Sequence, residues 1–130
     1  MKSNNSTLAA IISRSLEASK VDVEASVEWQ KKPREIVDFL KAHMQDYGPE
    51  ERRFLYAKSI ELADESLLSL LVDRLQHEDD APSIMLMETI LKDKMNATSS
   101  RRYLRGEIQC RNPVAEKVLR NLRLHFRVEQ

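Results

Sequence analysis

The chain is poor in the residues that make turns, disulfides and aromatic cores. Two glycines and four prolines in 130 residues are few for a many-turned chain, so the composition favours helices joined by short connections. One cysteine, Cys110, excludes an internal disulfide and fits a reducing, cytoplasmic setting. No base or orienting group stands near it in sequence, so nothing marks it as a nucleophile. Aromatic residues are scarce, with Trp29, three Tyr and three Phe, and Leu, Ile, Val and Met must fill the interior. Gly48 and Gly106 alone cannot make a glycine-rich phosphate loop. Paired Cys/His ligands and His-Glu-x-x-His are missing, so no metal site is expected at His77-Glu-Asp-Asp80 with His43, Asp46 or Glu50. The three histidines are far apart and no Ser/His/Asp order is seen. Neither an enzyme nor a cofactor is expected. No apolar run approaches the roughly 18 residues of a membrane span, so no membrane partner is expected either.

What the chain does have is charge, arranged unevenly. Charged residues make up 32% and hydrophobic residues 42% of the chain, and the formal net charge is zero. Residues 101–127 nevertheless carry eight Arg/Lys against two Glu, a net of +6, so the remainder sums to −6. A basic segment on a folded scaffold is the electrostatic footprint of a nucleic-acid or acidic-partner surface. A length of 130 residues predicts a single domain able to bury roughly two-thirds of its unfolded surface.

The prolines divide the chain regularly. Pro33, Pro49, Pro82 and Pro113 each stand where a helix can begin, since that position tolerates a missing N–H. The unfilled steps of this rhythm fall near Asp64 and Thr98, both good caps. The stripe Ile36, Val37, Leu40, Met44 stops at Gly48-Pro49. A second row runs Tyr56, Ile60, Ala63, Leu67. The segment Leu67–Leu75 is apolar almost all round and predicts a central helix. Ile84, Met87, Leu91 and Met95 form the next stripe. Asn112 and Pro113 open the last helix, with Val114, Ala115, Val118, Leu119, Leu122 and Phe126 on one face and Lys117, Arg120, Arg123 and Arg127 on the other. An N-terminal helix runs from Leu8 to about Lys20.

The predicted fold is mainly α, a single domain of six or seven short helices. Residues 1–32 hold the N-terminal helix and a segment of open type, 33–97 a helical body, and 98–130 the basic C-terminal helices. Residues 21–29 alternate apolar and polar strictly, a strand signal, and are left open between strand and helix. A small β pairing would set Asp22 and Glu24 opposite the basic face of 122–129, which alternates as well. Helix is preferred for 113–124.

The sharpest motif is Met95-Asn-Ala-Thr-Ser-Ser-Arg-Arg-Tyr-Leu-Arg-Gly-Glu107. It has the parts of a helix-turn-helix: a brace at 83–95, a polar turn at 96–98, and a reading helix from Ser99 to about Glu107 with Tyr103 and Leu104 facing inward. Residues 84–124 resemble phage-repressor-like DNA-binding domains, where Tyr-Leu-Arg-Gly-Glu is similar to the end of the reading helix. The stretch 112–122 resembles the supporting helix that follows it. The turn departs from that family in having Asn96 where glycine is usual, and the reading segment is about two residues short. The resemblance implies DNA contact by Ser99, Ser100, Arg101, Arg102 and Arg105, with Arg111, Lys117, Arg120 and Arg123 on phosphates. It also implies a regulatory protein that acts as a homodimer.

A rival reading is a helical protein–protein interaction module, an adaptor, antagonist or chaperone, with an acidic protein as one kind of partner. The regular helix spacing resembles helical-repeat scaffolds of the HEAT or tetratricopeptide kind. Ile36-Val-Asp-Phe-Leu40 and Leu71-Val-Asp-Arg-Leu75 look alike, 35 residues apart. Zero net charge favours this rival, because dedicated DNA binders are usually basic overall.

Overall fold

All four prolines sit in the first turn of a helix, where the missing N–H breaks no intrahelical bond. The computed structural model describes the backbone of residues 4–17 and 29–129, and the side chains of 7–16 and 29–129. The helices are α1 (Asn4–Glu17), α2 (Pro33–His43), α3 (Pro49–Lys58), α4 (Asp64–Leu75), α5 (Ala81–Lys94), α6 (Ala97–Leu104) and α7 (Pro113–Phe126), with 3-10 turns at Met44–Asp46 and Ser59–Glu61. Among the described residues there is no strand. The fold is mainly α, as expected. The question left open at 21–29 falls mostly outside the described residues, and Trp29, its last member, lies in a helical segment at 29–31. The alternation at 122–129 belongs to α7 as far as Phe126.

By its internal contacts the chain divides into two compact units, Met1–Leu67 and Leu68–Gln130. In the first unit α1 packs on α2 and α3. Ile36, Val37, Leu40 and Met44 are all buried, as their stripe requires. Trp29 is fully buried, with its Nε1 donating to Ser15 Oγ at 3.1 Å and the Lys58 ammonium 5.9 Å from its ring centre. Ser15 Oγ in turn donates to the Ile11 carbonyl, so the buried indole N–H has a partner that is itself held in place.

The predicted row Tyr56, Ile60, Ala63, Leu67 does not form. α3 ends at Lys58, Ile60 is 52% exposed, and Leu62 is extended. The Ser59 hydroxyl donates to the Tyr56 carbonyl, a local bond that competes with continuing the helix. A fresh helix starts at Asp64, with two acids in its first turn, where they complement the helix dipole.

α4 buries Leu67, Leu68, Leu70, Leu71, Val72 and Leu75, the all-round apolar helix foreseen. It also buries Arg74, 2% exposed, one turn before the fully buried Glu78. Arg74 Nη2 stands 3.5 Å from Glu78 Oε1, while Glu78 Oε2 accepts from the backbone N–H groups of Asp79 and Asp80. In the similar segment 35 residues earlier, the matching positions hold Phe39 and His43, whose rings stack at 4.6 Å. Two of the acids at 78–80 are thus structural: Glu78 faces Arg74, and Asp80 caps α5 by accepting from Ser83 N.

In the second unit α7 packs against both α5 and α6. Ile84, Met87, Leu91 and Met95 face inward, as do Ala115, Val118, Leu119 and Leu122. Met85 stays outside, 51% exposed. No described helix is long and apolar enough to cross a membrane.

Candidate nucleic-acid interface

α5 and α6 are separated by Met95 and Asn96 alone. Asn96 rather than Thr98 is the cap: its Oδ1 accepts from Thr98 N and Ser99 N, both at 2.9 Å, while Asn96 N donates to Ser99 Oγ. That reciprocal arrangement satisfies donors that the start of a helix otherwise leaves open. An eight-residue helix depends on such ends, because so few internal bonds hold it.

The capping geometry decides what Ser99 and Ser100 can do. Ser99 Oγ is held by Asn96, and Ser100 is fully buried with its hydroxyl donating to the Ala97 carbonyl. The Ser100 hydroxyl is turned inward, and the Ser99 hydroxyl, half-buried at the start of α6, is engaged by the cap. Arg101 and Arg102 are exposed on the outer side of α6, while Leu104 is fully buried against the unit's interior.

The reading helix was expected to run to about Glu107, but it stops at Leu104, and Arg105 adopts an extended conformation after it. Gly106 then takes φ +93°, a conformation side chains rarely adopt. The chain returns through residues 107–112 to α7. Two bonds secure this return: Arg111 N donates to the Gln76 carbonyl at 3.0 Å, and Asn112 Nδ2 to the Asp79 carbonyl at 3.1 Å. Asn112 Oδ1 accepts from Val114 N and caps α7, as expected.

Arg123 departs most from its expected place. The helical wheel set it among the outward cations, yet it is only 9% exposed. Its Nε donates to the Leu104 carbonyl at 2.8 Å and its Nη2 to the Gly106 carbonyl at 2.6 Å. The last carbonyls of a helix have no intrahelical donor, and a guanidinium offers several N–H groups in a rigid fork. Arg123 therefore clasps the end of α6 to α7, and it drops out of the set of phosphate contacts.

The other predicted cations are exposed: Arg101, Arg102, Arg105, Arg111, Lys117 and Arg120, together with Arg127. Among the described residues, no carboxylate pairs with Arg101, Arg105, Arg111, Lys117, Arg120 or Arg127. The ion pairs seen are elsewhere, at Lys58–Glu61, Arg74–Glu78 and Lys92–Glu88 among others. Lys117, Arg120, Leu124 and Arg127 follow helical spacing along the exposed side of α7, with Leu124 72% exposed.

One feature of this region escaped the sequence reading. A cleft of about 450 Å³ opens between residues 106–109 and the C-terminal half of α7. Its signal in the sequence was faint: a glycine after the short helix, and an arginine one turn beyond Leu119 at the edge of the apolar stripe.

No protein-family model, curated protein or solved structure matches this chain.

Proposed function

We propose that the protein binds nucleic acid, DNA in the first instance, through the exposed cations of α6, the following loop and α7. The observation that carries this reading is the set of six exposed cations between 101 and 127 without a carboxylate partner among the described residues. Fixed positive charges left unneutralised on short, capped helices raise the local potential and attract a polyanion. Arg101 and Arg102, on the outer side of α6, are the candidates for base edges. Arg105, Arg111, Lys117 and Arg120 serve as phosphate contacts. With Ser99 engaged in the cap, Ser100 buried on the Ala97 carbonyl and Arg123 in its clasp, few side chains remain to read sequence. The binding is therefore dominated by the backbone, with modest sequence preference. A regulatory role and a two-fold dimer belong to the same proposal.

The test is retention on immobilised bulk DNA at about 50 mM salt, where counterion release favours binding most. Wild type should be retained, and a variant with Arg101, Arg102 and Arg105 all changed to Ala should elute earlier. Wild type that flows through would remove the reading.

A second reading, a helical protein-binding module, is favoured by a separate observation. Leu124, Ile60, Met85 and Phe54 are large apolar side chains left 39–72% exposed. Capture of a single protein regardless of nuclease treatment, with no DNA retention, would shift the choice to it.

A further inference from the structure

We propose that the cleft between residues 106–109 and α7 binds a small zwitterion with an aliphatic side chain, of the α-amino acid or dipeptide class. This site is additional to the nucleic-acid reading and does not rest on it. Its volume of about 450 Å³ suits a small molecule, since such sites run to roughly 300–1,000 Å³. Ile108, Leu119, Leu124 and Val128 give it apolar walls, and Glu107, Glu116, Arg120 and Arg123 supply its charge.

Those four charged groups form no ion pair with one another. Two charges of each sign therefore border the cleft without cancelling. Arg123 is the buried member. Its Nε and Nη2 are used on carbonyls, whereas Nη1 donates to no described group and keeps contact with solvent. A guanidinium buried to that degree with donors in hand suits a carboxylate. A plain anion, however, would meet Glu107 and Glu116 as well. A ligand carrying an ammonium beside its carboxylate satisfies both signs, and its side chain covers the apolar wall that includes the exposed Leu124.

The experiment is an amide NMR titration of the full chain with three probes: leucyl-leucine, N-acetyl-leucine and leucinamide. Leucyl-leucine should shift the amides of 106–109 and 116–128 saturably and bind roughly tenfold tighter than either singly charged probe. Two variants on exposed positions avoid the risk of unfolding. Arg120→Gln should weaken leucyl-leucine and N-acetyl-leucine, and Glu116→Gln should weaken leucyl-leucine and leucinamide but spare N-acetyl-leucine. N-acetyl-leucine binding as tightly as the dipeptide would overturn the zwitterion. Absence of saturable shifts in these segments up to the solubility limit would overturn the site.

Discussion

Arg123 and Leu104 lie 19 residues apart and are joined by a 2.8 Å hydrogen bond from guanidinium Nε to backbone carbonyl. The bond ties the final turn of α6 to the last turn of α7, and a second bond to Gly106 fixes the turn beyond it. The orientation of Arg101 and Arg102 depends on this attachment, because α6 is too short to hold itself.

Replacing Arg123 by Met keeps much of the stem's packing and removes both bonds. Hydrogen bonds to charged groups contribute about 1.5–3 kcal/mol each, and two carbonyls would lose their donor. The expected loss is about 2–4 kcal/mol in urea unfolding, with faster hydrogen exchange confined first to residues 101–109. Arg123→Lys should rescue little, since one ammonium cannot reproduce the fork. Unchanged stability in Arg123→Met would mean that the clasp is not formed in solution.

The Arg74–Glu78 pair should show the asymmetry of buried ion pairs. Removing Glu78 alone strands a buried guanidinium and should cost about 3–5 kcal/mol. Replacing both residues by Met should cost much less, because the site then becomes apolar like that of Phe39 in the similar segment. The check is a double-mutant cycle by chemical denaturation. Additive losses would show that the two charges do not interact.

The Cys110 thiol is held above its ordinary value of 9.0, mainly by burial and next by Glu116, with Arg123 pulling the other way. Alkylation by iodoacetamide in the folded protein should therefore have its midpoint above 9.0, and Glu116→Gln should lower it. The thiol is protonated in both states below the ordinary value. As pH rises the unfolded chain loses its proton first, so stability falls through that window until the folded thiol ionises too. Tyr47, raised from 10.0 by burial and then by Asp46 and Glu51, adds a fall in the same direction at still higher pH. Cys110→Ser should flatten the first part of that decline, measured as unfolding midpoint against pH.

Much of the architecture was legible because it rests on local rules. Prolines at helix starts, Asn112 as a cap, and the stripes through Leu40, Leu71, Leu91 and Leu122 all depend on neighbours within a turn or two. The failures came where a local rule met a competing one. Ile60 and Ala63 continue a helical row on paper, but the Ser59 hydroxyl and the new start at Asp64 break the chain into two helices. Arg123 is charged and sits at a helix edge, so periodicity placed it outside. Only the orphan carbonyls of Leu104 and Gly106, brought near by tertiary packing, explain why it turns inward. Ser99 and Ser100 carried hydroxyls suited to DNA, yet Ser99 serves the cap of the short α6 and Ser100 turns inward onto the Ala97 carbonyl. The cleft was illegible for the same reason, since its walls come from a loop and a helix joined by that clasp.

The proposed interface is the set of exposed cations on α6, the loop and α7, meeting phosphates. Its most direct test is the salt dependence of binding to a labelled random-sequence duplex, followed by fluorescence anisotropy. Four to six phosphate contacts predict that log Kobs falls against log salt with a slope of about −4 to −5, and that Lys117→Ala with Arg120→Ala reduces its magnitude by about two. A slope near zero, or a slope indifferent to those two substitutions, would contradict it.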